Sequence, residues 1–169
     1  IADEKNYTYP SVIVPLSGYL SMIKNLNIID DFELYGNVPE YIRGTYFNDP
    51  LNIKSQLSYF KKYPFDKIWS FNDEDDIFSI TSGVIDELNK KTQLAKGISN
   101  TTEYCLNEVL DNVINHSGAD GGLFMAALNR NILNITVFDP GYGIYNTLNK
   151  SEDHSPIGAV DALTMSVKE

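Results

Sequence analysis

Between Thr101 and Ser117 the chain reads TTEYCLNEVLDNVINHS. At about 100° per residue, Leu106, Val109, Leu110 and Val113 form an apolar arc, while Glu108, Asp111, Asn112 and Asn115 gather on the opposite side with His116 at its margin. The plain reading of such a face is a solvated helix back. Asn107, Asn112 and Asn115 weigh against it, because the Asn amide competes for backbone hydrogen bonds and gives up helix propensity that Lys or Glu would keep. Two readings stand side by side, a solvated helix back and a role for these amides beyond solvation.

The second constellation is Asp139-Pro140-Gly141-Tyr142-Gly143-Ile144. As structure it is an ordinary turn, with Pro fixing φ and Gly accepting φ > 0. As chemistry, glycines let a ligand ring lie against bare backbone, and a carboxylate at a strand end accepts a hydrogen bond from an exocyclic amine in an apolar pocket.

The elements that must hold these residues are legible around them. Gly122 to Leu128 and Ile132 to Phe138 read as strands joined by the polar turn Asn129-Arg130-Asn131, so Asp139 leaves the second strand directly. Asp73 to Leu88 opens on four carboxylates that suit a helix N-terminus and continues with Ile77, Ile80, Val84, Ile85 and Leu88 on one side. The helix of Glu108 is expected from about Thr102 to His116, closed by Ser117-Gly118. Upstream, Ser11 to Leu20 reads as a short strand followed by a turn or loop, being β-branched and then broken by Pro15 and Gly18. Ile28 to Tyr46 suggests short strands or irregular structure, Asn52 to Lys62 a helix, and Phe65 to Phe71 a strand. No internal repeat and no low-complexity tract interrupts this order.

Composition bounds the function. The chain has 169 residues, 43% hydrophobic and 21% charged, which excludes disorder, collagen and coiled coil as overall readings. A net charge of −10 repels a polyphosphate backbone and argues against nucleic acid as partner. The single Cys105 excludes an internal disulfide, and with only His116 and His154 beside it no zinc set of structural type exists. There is neither a run of about 20 apolar residues nor a signal pattern, so a membrane partner is not expected and the location is read as cytoplasmic. The absence of an initiator Met, and a C-terminus that falls inside helix-like sequence, suggest a fragment of a longer protein. The Asn-, Ile- and Lys-rich usage suggests an AT-rich bacterial source.

Taken together, Glu108, Asn112 and His116 on one helix, a strand pair, and then Asp139, Gly141, Gly143 and Ile144 resemble the N-box and first glycine box of the GHKL (histidine kinase-like) ATPase superfamily. The string Leu106 to Ser117 with Gly121-Gly-Leu-Phe-Met-Ala and the glycine box is most similar to the anti-sigma-factor-like bacterial ATP-binding proteins. The resemblance covers roughly residues 73–169. It implies an α/β fold of Bergerat type, a sandwich in which helices cover one face of a mixed sheet, spanning residues 66–169 and incomplete at its C-terminus. A small α/β module is expected over 1–65; in Ser11 to Leu20 alone it resembles the STAS-like interaction modules fused ahead of such ATPases.

Carried over residue by residue, the resemblance implies ATP and Mg²⁺ as cofactors. Asp139 would accept from the adenine amine, Gly141 and Gly143 would admit base and ribose, and Ile144 completes the box. Asn112 would ligate Mg²⁺ through its side-chain oxygen. Glu108 would be the general base for a water or a substrate hydroxyl. Asn115 or His116 could reach phosphate, though His116 equally suits a helix C-terminus. Lys150 and His154, in a lid beginning at Asn146 to Pro156, are further phosphate candidates.

One departure is plain: no second glycine box lies between Tyr145 and Glu169. The phosphoacceptor of a sensor kinase is missing too, since no His precedes His116. Three readings follow. The first is a Mg²⁺-dependent signalling domain that binds ATP and ADP and either hydrolyses ATP or phosphorylates a Ser or Thr of a regulatory protein partner. The second is a nucleotide-gated interaction protein without turnover. The third is a nucleotide-independent module with Tyr35, Tyr41, Tyr46, Phe47, Tyr59 and Tyr63 as surface anchors. A homodimer is compatible with the resemblance.

Overall fold

The computed structural model describes residues 10–33, 35–95, 97–150 and 156–166. Four strands make one mixed sheet in the order β1 (Leu51–Asn52), β2 (Trp69–Phe71), β3 (Gly122–Asn129) and β4 (Ile132–Phe138). β1 runs parallel to β2, while β2 and β3, and β3 and β4, are antiparallel. The β3–β4 hairpin is in register from Leu123↔Phe138 to Asn129↔Ile132, so it turns at Arg130-Asn131. Arg130 takes a φ of 54°, a conformation that a two-residue hairpin turn demands and that Asn or Gly adopts with less strain.

Helices lie on both faces of this sheet, an α/β sandwich. On one face sit α3 (Leu57–Lys62), α4 (Glu74–Lys91) and α5 (Ile98–His116). α4 buries Ile77, Ile80, Thr81, Val84, Ile85 and Leu88, and α5 buries Leu106, Leu110 and Val113, each at helical spacing. All of these but Thr81 and Ile85 share an apolar cluster with Trp69, Phe71, Phe124 and Ala126 of the sheet. The other face carries α1 (Pro10–Asn25), whose Ile13 and Val14 cluster with Phe47, Ile68 and Met125. Phe124 and Ala126 therefore serve one layer and Leu123 and Met125 the other, which is why β3 reads as a continuous apolar run and not as an alternating one. Three short helices complete the order among the described residues: α2 (Glu40–Arg43), α6 (Gly143–Asn149) and α7 (Ala159–Ser166).

Ser11 to Leu20 is helix, not strand and loop. Pro10, Ile13, Val14, Ser17 and Gly18 are the buried residues of α1, a helical interval, and Gly18 leaves room for the Phe138 ring, which a Cβ there would strike. Docking on the sheet outweighs both the few tenths of a kcal/mol by which each β-branched residue disfavours helix and the larger costs of Pro15 and Gly18 inside it, about 3 and about 1 kcal/mol, and the strand-like stretch on which the STAS-like likeness rested is absent. The helix expected from Asn52 begins only at Leu57, because Leu51 and Asn52 are drawn into pairing with Trp69 and Ser70. The strand expected from Phe65 is confined to Trp69–Phe71, with Phe65 making one isolated bridge to Ala126. Leu51, Ile53, Phe60 and Phe65 belong to the same cluster as Trp69 and Phe124, so packing runs on across residue 65, where the sequence suggested a boundary. The helices predicted near 73–88 and 102–116 and the strands 122–128 and 132–138 match α4, α5, β3 and β4 within a few residues.

The N-terminal aromatics do not form one exposed surface. Phe47 is buried, whereas Tyr46, Tyr59 and Tyr63 surround the Lys67 ammonium, with ring centroids 5.2, 5.8 and 5.9 Å from Nζ. Among the described residues no helix is long and apolar enough to cross a membrane.

Candidate functional site

The two motifs meet at one end of the sandwich, where α5 ends and β4 exits. Ser117 caps α5, and Gly118 follows at a φ of 72°, so the chain leaves the helix through a left-handed residue as helices commonly do. The Ser117 carbonyl oxygen accepts a hydrogen bond from the Tyr142 backbone N–H at 2.9 Å, and its Oγ accepts from Ala119 N–H at 3.0 Å. Asp139 shapes the other side of this joint: its Oδ1 accepts from the Gly141 N–H at 2.7 Å and tightens the turn after β4. A side chain at Gly141 would collide with the Ser117 carbonyl and with Asp139 Oδ1, so only glycine fits between helix end and carboxylate.

Beside this joint lies a cavity of about 580 Å³, a volume in the range of small-molecule sites. Asn112, His116 and Ser117 come from the helix side, Asp139, Gly143 and Ile144 from the strand exit, and Thr147, Leu148 and Ser166 from α6 and α7. Asn112 and His116 stand one helical turn apart, both exposed, as are Asp139, Gly143 and Ile144. The lining combines one carboxylate, one imidazole, one amide and three hydroxyls with the apolar walls of Ile144 and Leu148. Such a site offers a flat ring two apolar surfaces and a hydrogen-bond acceptor, and leaves polar groups for the remainder of a ligand. Another cavity, about 440 Å³ between α1 and the ends of β1 to β3, contains none of the expected site residues.

Of the residues singled out in the sequence, Asn112, His116, Asp139, Gly143 and Ile144 are brought together in this lining. Gly141 acts behind it by permitting the turn. Glu108 and Asn115 are exposed on α5 outside the lining, Glu108 one turn before Asn112. Lys150 is also outside: its Nζ sits 3.4 Å from the centroid of the Tyr142 ring, a close cation–π contact. His154 lies outside the described residues. The lid expected from Asn146 begins as helix, since Gly143–Asn149 forms α6 and Asn146 Nδ2 donates to the Tyr142 carbonyl at 3.0 Å. Val109, expected in the apolar arc, is 48% exposed, because the buried stripe of α5 is centred on Leu106, Leu110 and Val113 and leaves it at the margin.

Ser117, Thr147, Leu148 and Ser166 were not singled out by sequence. Thr147 has two roles, donating from Oγ1 to the Gly143 carbonyl at 3.0 Å and lying 3.5 Å from the His116 carbonyl, which ties α6 to the end of α5. The only sequence signal for it was its spacing of four residues from Gly143. Asn107 has a structural role, because its Oδ1 accepts from Thr81 Oγ1 at 2.7 Å and links α4 to α5.

No protein-family model, no curated protein and no solved structure matches this chain.

Proposed function

We propose that this chain is a Mg²⁺-dependent ATP-binding domain of histidine kinase-like type, with the nucleotide in the cavity between the end of α5 and the exit of β4. The supporting observation is that a single cavity of about 580 Å³ gathers Asn112, His116, Asp139, Gly143 and Ile144, residues from two motifs separated by a strand pair. In this reading Asp139, with Oδ1 occupied by the Gly141 N–H, accepts the adenine amine on Oδ2. Ile144 and Leu148 flank the base.

In this reading the ion arrives with the nucleotide. Asn112 would hold it through its side-chain oxygen, a hard ligand of the kind Mg²⁺ takes alongside phosphates and water. The ion supplies charge neutralisation at the phosphates. Glu108, one turn before Asn112, takes the proton of a water or of a partner's Ser or Thr hydroxyl. A cytoplasmic setting, where ATP and Mg²⁺ are abundant, belongs to the same reading, as does a regulatory protein partner.

Thermal unfolding with and without Mg²⁺-ATP and Mg²⁺-ADP tests it. Nucleotide at 100 times Kd stabilises by about 2.7 kcal/mol, a rise of roughly 5–10 °C in Tm for a domain of this size. The rise disappears in Asp139→Asn. Equal shifts in Asp139→Asn and wild type, or no shift in either, would overturn the assignment.

A further inference from the structure

Helix α1 packs over β3 and β4, and beside its C-terminal half, over the ends of β1 to β3, lies the cavity of about 440 Å³. Strand alternation gives it a polar floor. Leu51 and Trp69 join the cluster under α4 and α5, so Asn52 and Ser70, the next residue of each strand, fall on the opposite face and line the cavity. Met22, Leu26, Leu123 and Phe138 form an apolar wall, the Phe138 ring lying against Gly18. Phe138 and Pro140 line this cavity while Asp139 between them lines the one at the end of α5, and among the described residues none lines both.

The lining selects a ligand by charge. It holds no Lys, Arg or His, and its one ionisable side chain is Asp120, exposed at the rim. Gly121 fixes the loop there, with a φ of 143° and no room for a Cβ against the Phe71 carbonyl. Asn52 is committed within the protein, its Oδ1 accepting from the Ser55 N–H at 2.9 Å and its Nδ2 lying 3.5 Å from Ser70 Oγ. The side chains of Ser21, Asn25, Asn72 and Asp120 hydrogen-bond to no other described residue. A phosphate or carboxylate finds no cation here and meets the field of a chain of net charge −10. An ammonium finds a carboxylate for a charge-assisted hydrogen bond and further oxygens on the amides and Ser21, and the apolar wall takes the body that carries it.

We propose that this cavity is a second small-molecule site, for a primary amine on an aromatic or branched aliphatic body. Asp120 accepts from the ammonium, Asn25 and Asn72 offer their amide oxygens, and Met22, Leu123 and Phe138 hold the apolar part. The site stands independently of the nucleotide assignment, because the two linings share no residue.

Nuclear magnetic resonance titration of the nitrogen-15-labelled protein, without nucleotide, tests this with two probes that share a phenyl ring: phenethylamine, a cation at neutral pH, and phenylacetate, an anion. The amine shifts the backbone amides of Met22, Gly121 and Leu123 saturably, with a Kd on the order of 1 mM as expected for so small a molecule, and phenylacetate at the same concentrations does not. Asp120→Asn raises that Kd at least about tenfold, and Asn25→Lys, which sets an ammonium in the lining at an exposed position, does the same. Asp86→Asn removes the same charge from an exposed position of α4 outside the lining and leaves the titration unaltered. No saturable shift in the wild type, an equal response to phenylacetate, shifts centred on Asn112 and Ile144 instead, or unchanged binding in either lining variant would overturn the proposal.

Discussion

The backbone N–H of Tyr142 donates to the carbonyl of Ser117 at 2.9 Å, joining the turn after β4 to the residue that caps α5. This bond brings two segments about 25 residues apart in the chain close enough to share a cavity wall, and Gly118 and Gly141 supply the clearance: a Cβ on Gly118 would strike the Tyr142 ring, and one on Gly141 the Ser117 carbonyl. Gly143 differs, having a φ of 73° but nothing within 4 Å of an added Cβ. Gly141→Ala is therefore expected to displace α5 from the turn, lowering stability by about 1–3 kcal/mol and abolishing the nucleotide-dependent rise in Tm. Gly143→Ala incurs only left-handed strain, about 1–2 kcal/mol, and keeps a measurable nucleotide response. Chemical denaturation and thermal shift of both variants check the contrast; equal behaviour would show that the turn does not depend on this contact.

Asn112 and Glu108 lie one turn apart on α5, yet only Asn112 lines the cavity. On the proposed reading they separate binding from turnover. Asn112→Ala loses the increment of stabilisation that Mg²⁺ adds to ATP. Glu108→Ala keeps that increment and reduces phosphate release, or transfer to a protein hydroxyl, by about 10²–10⁴-fold. Titrating Mg²⁺ at fixed ATP in thermal unfolding, together with a phosphate-release assay, distinguishes the two variants. A Glu108→Ala protein with unchanged turnover would remove Glu108 from the reaction.

How far sequence could see follows from which signals were local. The helices around Ile80 and Leu110 and the hairpin of β3 and β4 were legible because an apolar period of 3.6, or a polar turn between two apolar runs, needs no knowledge of the partner. α1 was not, because what its buried face packs on is distant in sequence: Gly18 lies against the Phe138 ring, 120 positions away. The site was legible to the same extent: Asn112, His116, Asp139, Gly143 and Ile144 carry motif spacing, whereas Ser166 enters the lining through the packing of α6 and α7. Lys150 had the right charge but is held on the face of Tyr142, which spacing alone could not reveal.

The start of α4 makes a prediction in pH. Asp73 caps the helix, accepting from the Asp76 N–H at 2.9 Å, and pairs with Lys54 at 2.8 Å. The Lys54 hydrogen bond, followed by that from the Asp76 N–H, holds its carboxyl below the ordinary value of 3.8. A depressed folded value means that the contribution of Asp73 is complete above 3.8 and is lost as pH falls through the folded value. Asp73→Ala is expected to lower stability by about 0.5–2 kcal/mol at neutral pH, chiefly through the cap since the ion pair is exposed, and the difference from wild type vanishes in acid. Asp76 behaves in the opposite sense: burial raises its carboxyl above 3.8, so stability falls as pH rises through its folded value, and Asp76→Asn flattens that limb. Urea denaturation from acid to neutral pH measures both.

The last prediction concerns Asn107, an asparagine in the middle of a helix that its side chain disfavours. Its Oδ1 accepts from the Oγ1 of Thr81, which is 2% exposed, at 2.7 Å, so the amide binds α4 to α5. Thr81→Val leaves the half-buried amide oxygen without its donor, and Asn107→Leu leaves a buried hydroxyl without its acceptor; each is expected to lower stability by about 1–3 kcal/mol. The double variant replaces both partners with apolar groups and recovers most of that loss, giving an interaction energy of about 0.5–3 kcal/mol in a double-mutant cycle. Additive losses would mean that the bond contributes nothing beyond its two side chains. Because α5 carries Asn112 and His116, the same cycle read by nucleotide-dependent thermal shift reports whether the grip of α4 on α5 holds the cavity in shape: the two single variants weaken the shift and the double variant restores it.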